Sequence, residues 1–183
     1  MHYVMIRSEP LAIRGPLLLR PDVVTDARGF FAETLRVDAL EAAGIGEAFV
    51  QDSHSRSIRG TVRGLHYQVA PGQAKLVRVA RGTVLDVVVD IRADSPTFGQ
   101  HAATRLDDIE LCGLYIPRGF AHGFCVTSDE ADVLYRTTAY FGPHLERGIA
   151  WDDPALGIDW PISEPVLSDR DRNHPRLAEL GGL

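Results

Sequence analysis

Lysine is all but missing from this chain. Of its 19 lysines and arginines only Lys75 is a lysine, and arginine stands at every other cationic position. A GC-rich coding sequence alone produces such a bias, so the surviving ammonium is informative only together with its neighbours. Lysine is a compact point charge whose pKa moves readily on burial, and arginine is neither. Cysteine is scarce too. Cys112 and Cys125 suggest neither a disulfide framework nor a zinc knuckle, and reduced core thiols are expected. No apolar run reaches membrane-spanning length, and no basic segment leads into a long apolar one at the N-terminus. A cytoplasmic protein is therefore expected. Positive charge is in deficit: a net charge of −6 argues against nucleic acid or an anionic membrane as a partner. An anionic small ligand would need a local cluster of cations. Repeats, low-complexity tracts and linker-like stretches are also absent, so residues 1–183 are expected to form one domain with a substantial core.

What is present is a series of short strand signals. Thr61 to Gln68 reads as a strand containing Arg63, Gly64 and His66. A Pro71-Gly72 turn follows, and Lys75 to Ala80 reads as the return strand of a hairpin. Thr83 to Arg92 alternates, with Leu85, Val87, Val89 and Ile91 on one face and Asp86 and Asp90 on the other beside Val84 and Val88. Further short strands are expected at Phe30 to Leu35, Leu111 to Ile116, Ala121 to Val126 and Asp132 to Thr138. The chain re-enters the sheet at Phe49 to Asp52, and Ser53 to Gly60 reads as a polar loop. Asp38 to Ala43 suits a short helix with Asp38 as its N-cap and Gly44 just past its end. Asp169 to Leu180 has room for another. Many short strands with Gly and Pro turns, and one or two short helices, predict an all-β sandwich or barrel.

Arg28, Arg63, Lys75 and Arg170 sit near expected turns or strand ends. Forked guanidinium groups plus a point charge hold a phosphate or diphosphate well, although scattered arginines are common on any surface. His66, one of seven histidines, gains weight from Lys75 nearby. Tyr135 shares a strand face with Val133 and Thr137, where a tyrosine ordinarily buries its ring and bonds its tip. His122 closes the run Pro117-Arg118-Gly119-Phe120-Ala121-His122, which resembles the second signature of cupins, the double-sheet jelly rolls. A metal-dependent cupin would also need a His-x-His and a Glu near His66-Tyr67-Gln68. One His and a Gln stand there, with no suitably spaced Glu before Gly82, so a metal-free site is expected.

Nine blocks together are more specific. RGFFAE (28–33), FVQDSHSRS (49–57), RGLHYQ (63–68), the run 75–92, SPTFG (95–99), IPRGFAHGF (116–124), LYRTT (134–138), the run 146–161 and LSDRD (167–171) resemble the dTDP-4-dehydrorhamnose 3,5-epimerase family, in register from about residue 20 to 175. The resemblance implies a cupin-type double-sheet jelly roll, usually a homodimer, that acts without a cofactor on dTDP-4-keto-6-deoxyglucose. It implies that His66 is the base and Tyr135 the acid on the opposite face. Asp171 would orient His66, and Lys75 would stabilise the enolate at the C4 oxygen. It further implies that Arg28, Glu33, Gln51, Asp52, Ser53, Arg63, Lys75, His122, Glu146 and Arg170 hold nucleotide, diphosphate or sugar.

Strict alternation sends Arg63 and His66 to opposite faces of their strand, so a bulge is expected, with Gly64 a suitable place. Phe141 follows Tyr140 where rhamnose-pathway members usually have a second tyrosine, and Ser53 and Arg170 replace a commoner Asn and Lys. These departures leave the reaction class alone and leave the stereochemistry open. A 3- or 5-mono-epimerase of a secondary-metabolite deoxysugar pathway is the alternative. Two other classes are a metal-dependent cupin oxygenase, which lacks its ligands here, and a sugar-nucleotide binder without catalysis, against which His66, Lys75, Tyr135 and Asp171 speak.

Overall fold

The computed structural model describes residues 5–180. Its strands are β1 (Ile6–Pro10), β2 (Leu17–Pro21), β3 (Val23–Asp26), β4 (Gly29–Ala32), β5 (Gln51–Ile58), β6 (Val62–Gln68) and β7 (Lys75–Arg81). They continue as β8 (Thr83–Asp90), β9 (His101–Asp107), β10 (Gly113–Ile116), β11 (Phe120–Val126), β12 (Glu130–Thr137) and β13 (Glu146–Gly148). Two short helices, α1 (Val37–Ala42) and α2 (Asp169–Arg172), and a 3-10 turn at Leu177–Glu179 complete the chain. One sheet runs β1-β2-β10-β7-β12-β5 and a second β13-β6-β11-β8-β9, while β3 and β4 pair only with each other. This is the expected all-β, cupin-type double sheet with two short helices.

The sheets close on a shared apolar interior. Val77, Val79 and Val133 from one sheet meet Val84, Val88, Phe124 and Val126 from the other. Each such side chain contributes about 1.5–3 kcal/mol on full burial. The alternation along β8 is as expected, but both of its faces are covered. Val87 and Val89 pack outward under Ile149, Leu156 and the C-terminal segment. Helix α1 covers the outside of the other sheet, with Leu40 and Ile45 against Leu19, Leu76 and Tyr115.

Three expectations need correction, and one strand was not foreseen. The strands at 62–68 and 75–81 do not form a hairpin. β6 pairs with β11 and β13, whereas β7 pairs with β10 and β12, so the Pro71-Gly72 turn carries the chain from one sheet to the other. Residues 53–58 are not a loop. They extend β5, which pairs with β12 from Gln51↔Thr137 to Ile58↔Glu130, and the polar side chains occur because one face looks into a polar cleft and the other into solvent. β9 gave no signal in the sequence, since its seven residues HAATRLD mix polar and apolar side chains. Finally, Arg36 rather than Asp38 stands at the N-cap of α1 and makes no side-chain cap bond. Asp38 lies one position inside the helix and pairs with Arg36 at 2.6 Å. The helix ends as expected: Gly44 has φ +82°, and Ile45 N bonds Leu40 O at 2.8 Å in a Schellman arrangement.

The bulge expected near Gly64 is present. His66 is opposite His122 and Arg63 opposite Phe124, so three residues of β6 are spanned by two of β11. Gly64 has φ +136°, and a Cβ there would fall 2.5 Å from Gly123 Cα. Only glycine fits both the backbone angle and the approach of the two strands.

Candidate active site

Between the sheets, at the end away from the valines, lies a cavity of about 340 Å³. Its walls come from opposite sheets. β6 and β11 supply Arg63, His66, His122 and Phe124, while β5, β7 and β12 supply Gln51, Ser53, Lys75, Tyr135 and Thr137, with Gln73, Phe141 and Glu146 at the rim. A wider surface groove of about 960 Å³ runs along residues 67–72 and 91–97. Of the arginines lining it, Arg92 is tied to Asp90 and Arg118 to Glu47, and no such set of acids and bases converges there.

His66 is the most elaborately supported residue. Its Nε2 lies 2.5 Å from Asp171 Oδ1, which leaves Nδ1 as the nitrogen free to take a proton. Asp171 is 4% exposed and arrives on α2, a single turn too short to persist alone. The Ser168 hydroxyl caps that turn by accepting the Asp171 N–H at 3.0 Å. Burial works to raise the Asp171 carboxyl, but bonding and charge from His66, with help from Ser168 and His174, outweigh it and hold it below its usual range. A bond to such a charged acceptor is worth about 1.5–3 kcal/mol net.

Lys75 begins β7, and its Nζ reaches across to donate to His66 O at 3.3 Å. Burial lowers its pKa to about 8, against the opposing pull of Glu146 and Asp86. The ammonium is thus poorly solvated and still charged at neutral pH, a suitable condition for meeting negative charge as it develops. Beside His66 stands His122, whose Nε2 meets both Asp86 oxygens at 2.9 and 3.0 Å. Burial lowers the His122 pKa in spite of Asp86, so this imidazole is neutral and donates one hydrogen bond. Tyr135, on β12, faces this group from the other sheet, its ring packed on the interior valines.

The residues expected from sequence divide into three sets. Gln51, Ser53, Arg63, His66, Lys75, His122, Tyr135 and Glu146 line one cavity. Asp171 lies behind His66, and Arg170 bonds Glu146 at the rim. Arg28, Glu33 and Asp52 do not line the cavity of this chain. Arg28 sits at the tip of the β3–β4 hairpin, 90% exposed and paired with Asp26. Glu33 pairs with Arg36, and Asp52 lies on the far face of β5, paired with Arg136. Sequence reading missed Asp86, Gln73, Phe124 and His174. Asp86 was legible as one of two carboxylates, with Asp90, on a strand face shared with Val84 and Val88. His174 gave no signal.

His66, Asp171 and His174 offer two nitrogens and an oxygen within 4.8 Å of one another. Ligands that each sit 2.0–2.2 Å from one ion stand roughly 3 Å or more apart. The 2.5 Å between His66 Nε2 and Asp171 Oδ1 is a hydrogen bond that a cation would have to break.

An imidazole–carboxylate pair and a phenol on opposite walls, with a half-buried ammonium between, are the parts needed to move protons beside a carbonyl; the fold and cavity are those of a cupin-type isomerase. Residues 10–179 match the family model for dTDP-4-dehydrorhamnose 3,5-epimerase, and the chain belongs to that family. It is 48% identical over 176 residues to the dTDP-4-dehydrorhamnose 3,5-epimerase of Pseudomonas aeruginosa, covering 95% of this chain and 97% of that one. It is 44% identical to the dTDP-4-dehydrorhamnose 3-epimerase of Streptomyces niveus, covering 95% and 85%. Among solved structures, the dTDP-6-deoxy-D-glucose-3,5-epimerase of Legionella pneumophila, in complex with dTDP-4-keto-L-rhamnose, superposes with a TM-score of 0.92 at 43% identity, covering 96% and 94%.

Proposed function

We propose that this protein epimerises dTDP-4-keto-6-deoxyglucose at C3 and C5, without a cofactor, in the synthesis of dTDP-linked deoxysugars. The observation that carries the reading is that His66 and Tyr135 stand on facing sheets. Inverting a carbon requires a proton to leave one face and return to the other. His66 Nδ1 takes the proton from C3, and the C–H electrons move onto the C4 oxygen as an enolate. Lys75 meets that charge. Tyr135 returns a proton from the opposite side, and exchange with water restores His66 and Tyr135. A second passage inverts C5. Asp171 fixes the His66 tautomer and stabilises the imidazolium. Gln51, Ser53, Arg63, His122, Glu146 and Arg170 hold the sugar nucleotide.

The test is deuterium uptake from heavy water, followed by NMR. The wild type should place deuterium at C3 and C5. His66→Ala should place none while still binding dTDP. Exchange at the normal rate in His66→Ala would overturn the assignment of the base.

The reading includes a cytoplasmic homodimer. Two buried, unpaired thiols suit a reducing compartment. The β3–β4 hairpin exposes Val23, Val24, Phe30 and Phe31 at 37–62%, an apolar patch that suits a subunit contact. The same hairpin bears Arg28, and Glu33 follows it, so a second copy accounts for two binding residues outside the cavity. Mixing inactive Arg28→Ala with inactive His66→Ala should then restore activity in mixed dimers, up to about one intact site per dimer. Mixed dimers that form and stay inactive speak against it.

A mono-epimerase is the second reading. Phe141 lines the cavity and has no hydroxyl to offer the sugar or Tyr135.

A further inference from the structure

We infer that His174 is a positioning residue for the base, holding Asp171 and the His66 ring in the arrangement proton abstraction requires. This rests on the reading of His66 as the base. The His174 ring meets His66 edge-on, with centroids 5.5 Å apart and planes at 79°. Its Nε2 stands 3.4 Å from Asp171 Oδ1, the oxygen that His66 also uses. The His174 side chain is 9% exposed, and its Nε2 has no well-formed hydrogen bond among the described residues. A buried polar atom so placed is costly unless it is used.

Gly148 supplies an independent observation. It pairs with His66 across β13 and β6. A Cβ at Gly148 would fall 2.3–2.4 Å from three ring atoms of His174. Its φ is not in the left-handed region, so glycine is needed there for room, and the room is filled by His174. The ring is thus wedged between the strand opposite the base and the carboxylate behind it. The charged groups around it are Asp171 and Arg170 on α2 and His66 on β6. Burial, then the charge of His66, and Arg170 after Asp171's opposing pull, leave His174 with a lowered pKa. The neutral tautomer protonated at Nε2 gives Oδ1 a second donor. At 3.4 Å the contact is long, and catalytic hydrogen bonds tighten as the reacting complex forms.

The test uses His174→Phe, which keeps the ring and loses the donor, and His174→Gln, which keeps a donor at similar reach. Each is made alone and with Asp171→Asn. His174→Phe should lower kcat about tenfold, a coupling of the size found between touching residues. KM should stay within about twofold, and the primary isotope effect with C3-deuterated substrate should rise. His174→Gln should recover most of the rate. In the Asp171→Asn background, His174→Phe should cost nothing more. Normal kcat in His174→Phe would overturn the proposal. So would an undiminished further loss on top of Asp171→Asn, or equal losses of rate and melting temperature in both variants. If His66→Ala still exchanges deuterium, the base assignment has failed; if it does not and His174→Phe turns over normally, only the role of His174 has failed.

Discussion

His66 and His122 stand side by side on paired strands, directly in register, and each meets a buried carboxylate through Nε2. The carboxylates differ in how they are held. Asp86 lies in the middle of β8, paired on both sides by β9 and β11, and is 0% exposed. Asp171 sits on one turn of helix laid beside β6 on the face that carries His66, outside the strands themselves. The His122 side chain is 9% exposed and that of His66 24%. A rigid, dry pair keeps its imidazole neutral, which suits a fixed hydrogen-bonding group. The His66 pair instead stands at the cavity wall, its carboxylate on a docked turn. On the function proposed above, the same two side chains serve binding in one place and proton transfer in the other, and the backbone beneath the carboxylate is what differs.

The largest expected effect separates the two histidines. His66→Ala should lower turnover by about 10³-fold or more, the scale of losing a general base, with dTDP binding by calorimetry nearly unchanged. His122→Ala should weaken substrate binding and cost far less turnover. Equal kcat losses in the two would erase the distinction.

Lys75→Arg comes next. The charge is kept but spread over a larger plane, and turnover should fall on the order of 10²-fold, as on losing one oxyanion donor. Near-normal turnover would mean that any cation serves. The wild-type rate should also fall as pH rises through about 8, because Lys75 then loses its proton and the enolate loses its counter-charge. That limb should be missing from the residual activity of Lys75→Arg.

Asp86→Asn sharpens the comparison from the other side. Asp86 raises the Lys75 pKa against burial, so removing its charge should move the alkaline limb to lower pH. Asp171→Asn, which lowers the rate through orientation, should leave that limb in place. A pH profile of kcat for both variants distinguishes them.

Phe141→Tyr should have the smallest effect on rate. If the missing hydroxyl limits the second inversion, wild-type product formed in heavy water carries label mainly at C3, and the variant gains label at C5. Equal label at both carbons in both proteins returns Phe141 to a packing role.

The sequence carried the sheet-rich fold in its Gly and Pro turns and in the alternation of 83–92, and the need for a bulge in the spacing of Arg63 and His66. It misled where a local rule met a tertiary one. Pro71-Gly72 looks like a hairpin turn, yet it hands the chain between sheets, and that is why Lys75 can reach His66 O from the opposite wall. Ser53 to Ser57 looked like loop because a strand lining a polar cavity has no apolar face to display. Asp86 could not be paired with His122, nor His174 with His66, from spacing, since 36 residues separate the first pair and only the tertiary fold brings the second together.

The distance along the chain from His66 to Asp171, 105 residues, also sets an order of events during synthesis. Both main sheets except β13 are complete in sequence by Thr137, so a nascent chain can close its sandwich, with Lys75 and Tyr135 in place, before the ribosome has made the turn that bears Asp171. Such a chain has the strands of both sheets but not the carboxylate that meets His66, nor the cover of Ile149 and Leu156 over Val87 and Val89. The last part of the site to be made is the capped turn that brings Asp171 to His66, so assembly of the dyad waits on the segment that also covers the outward valines of β8.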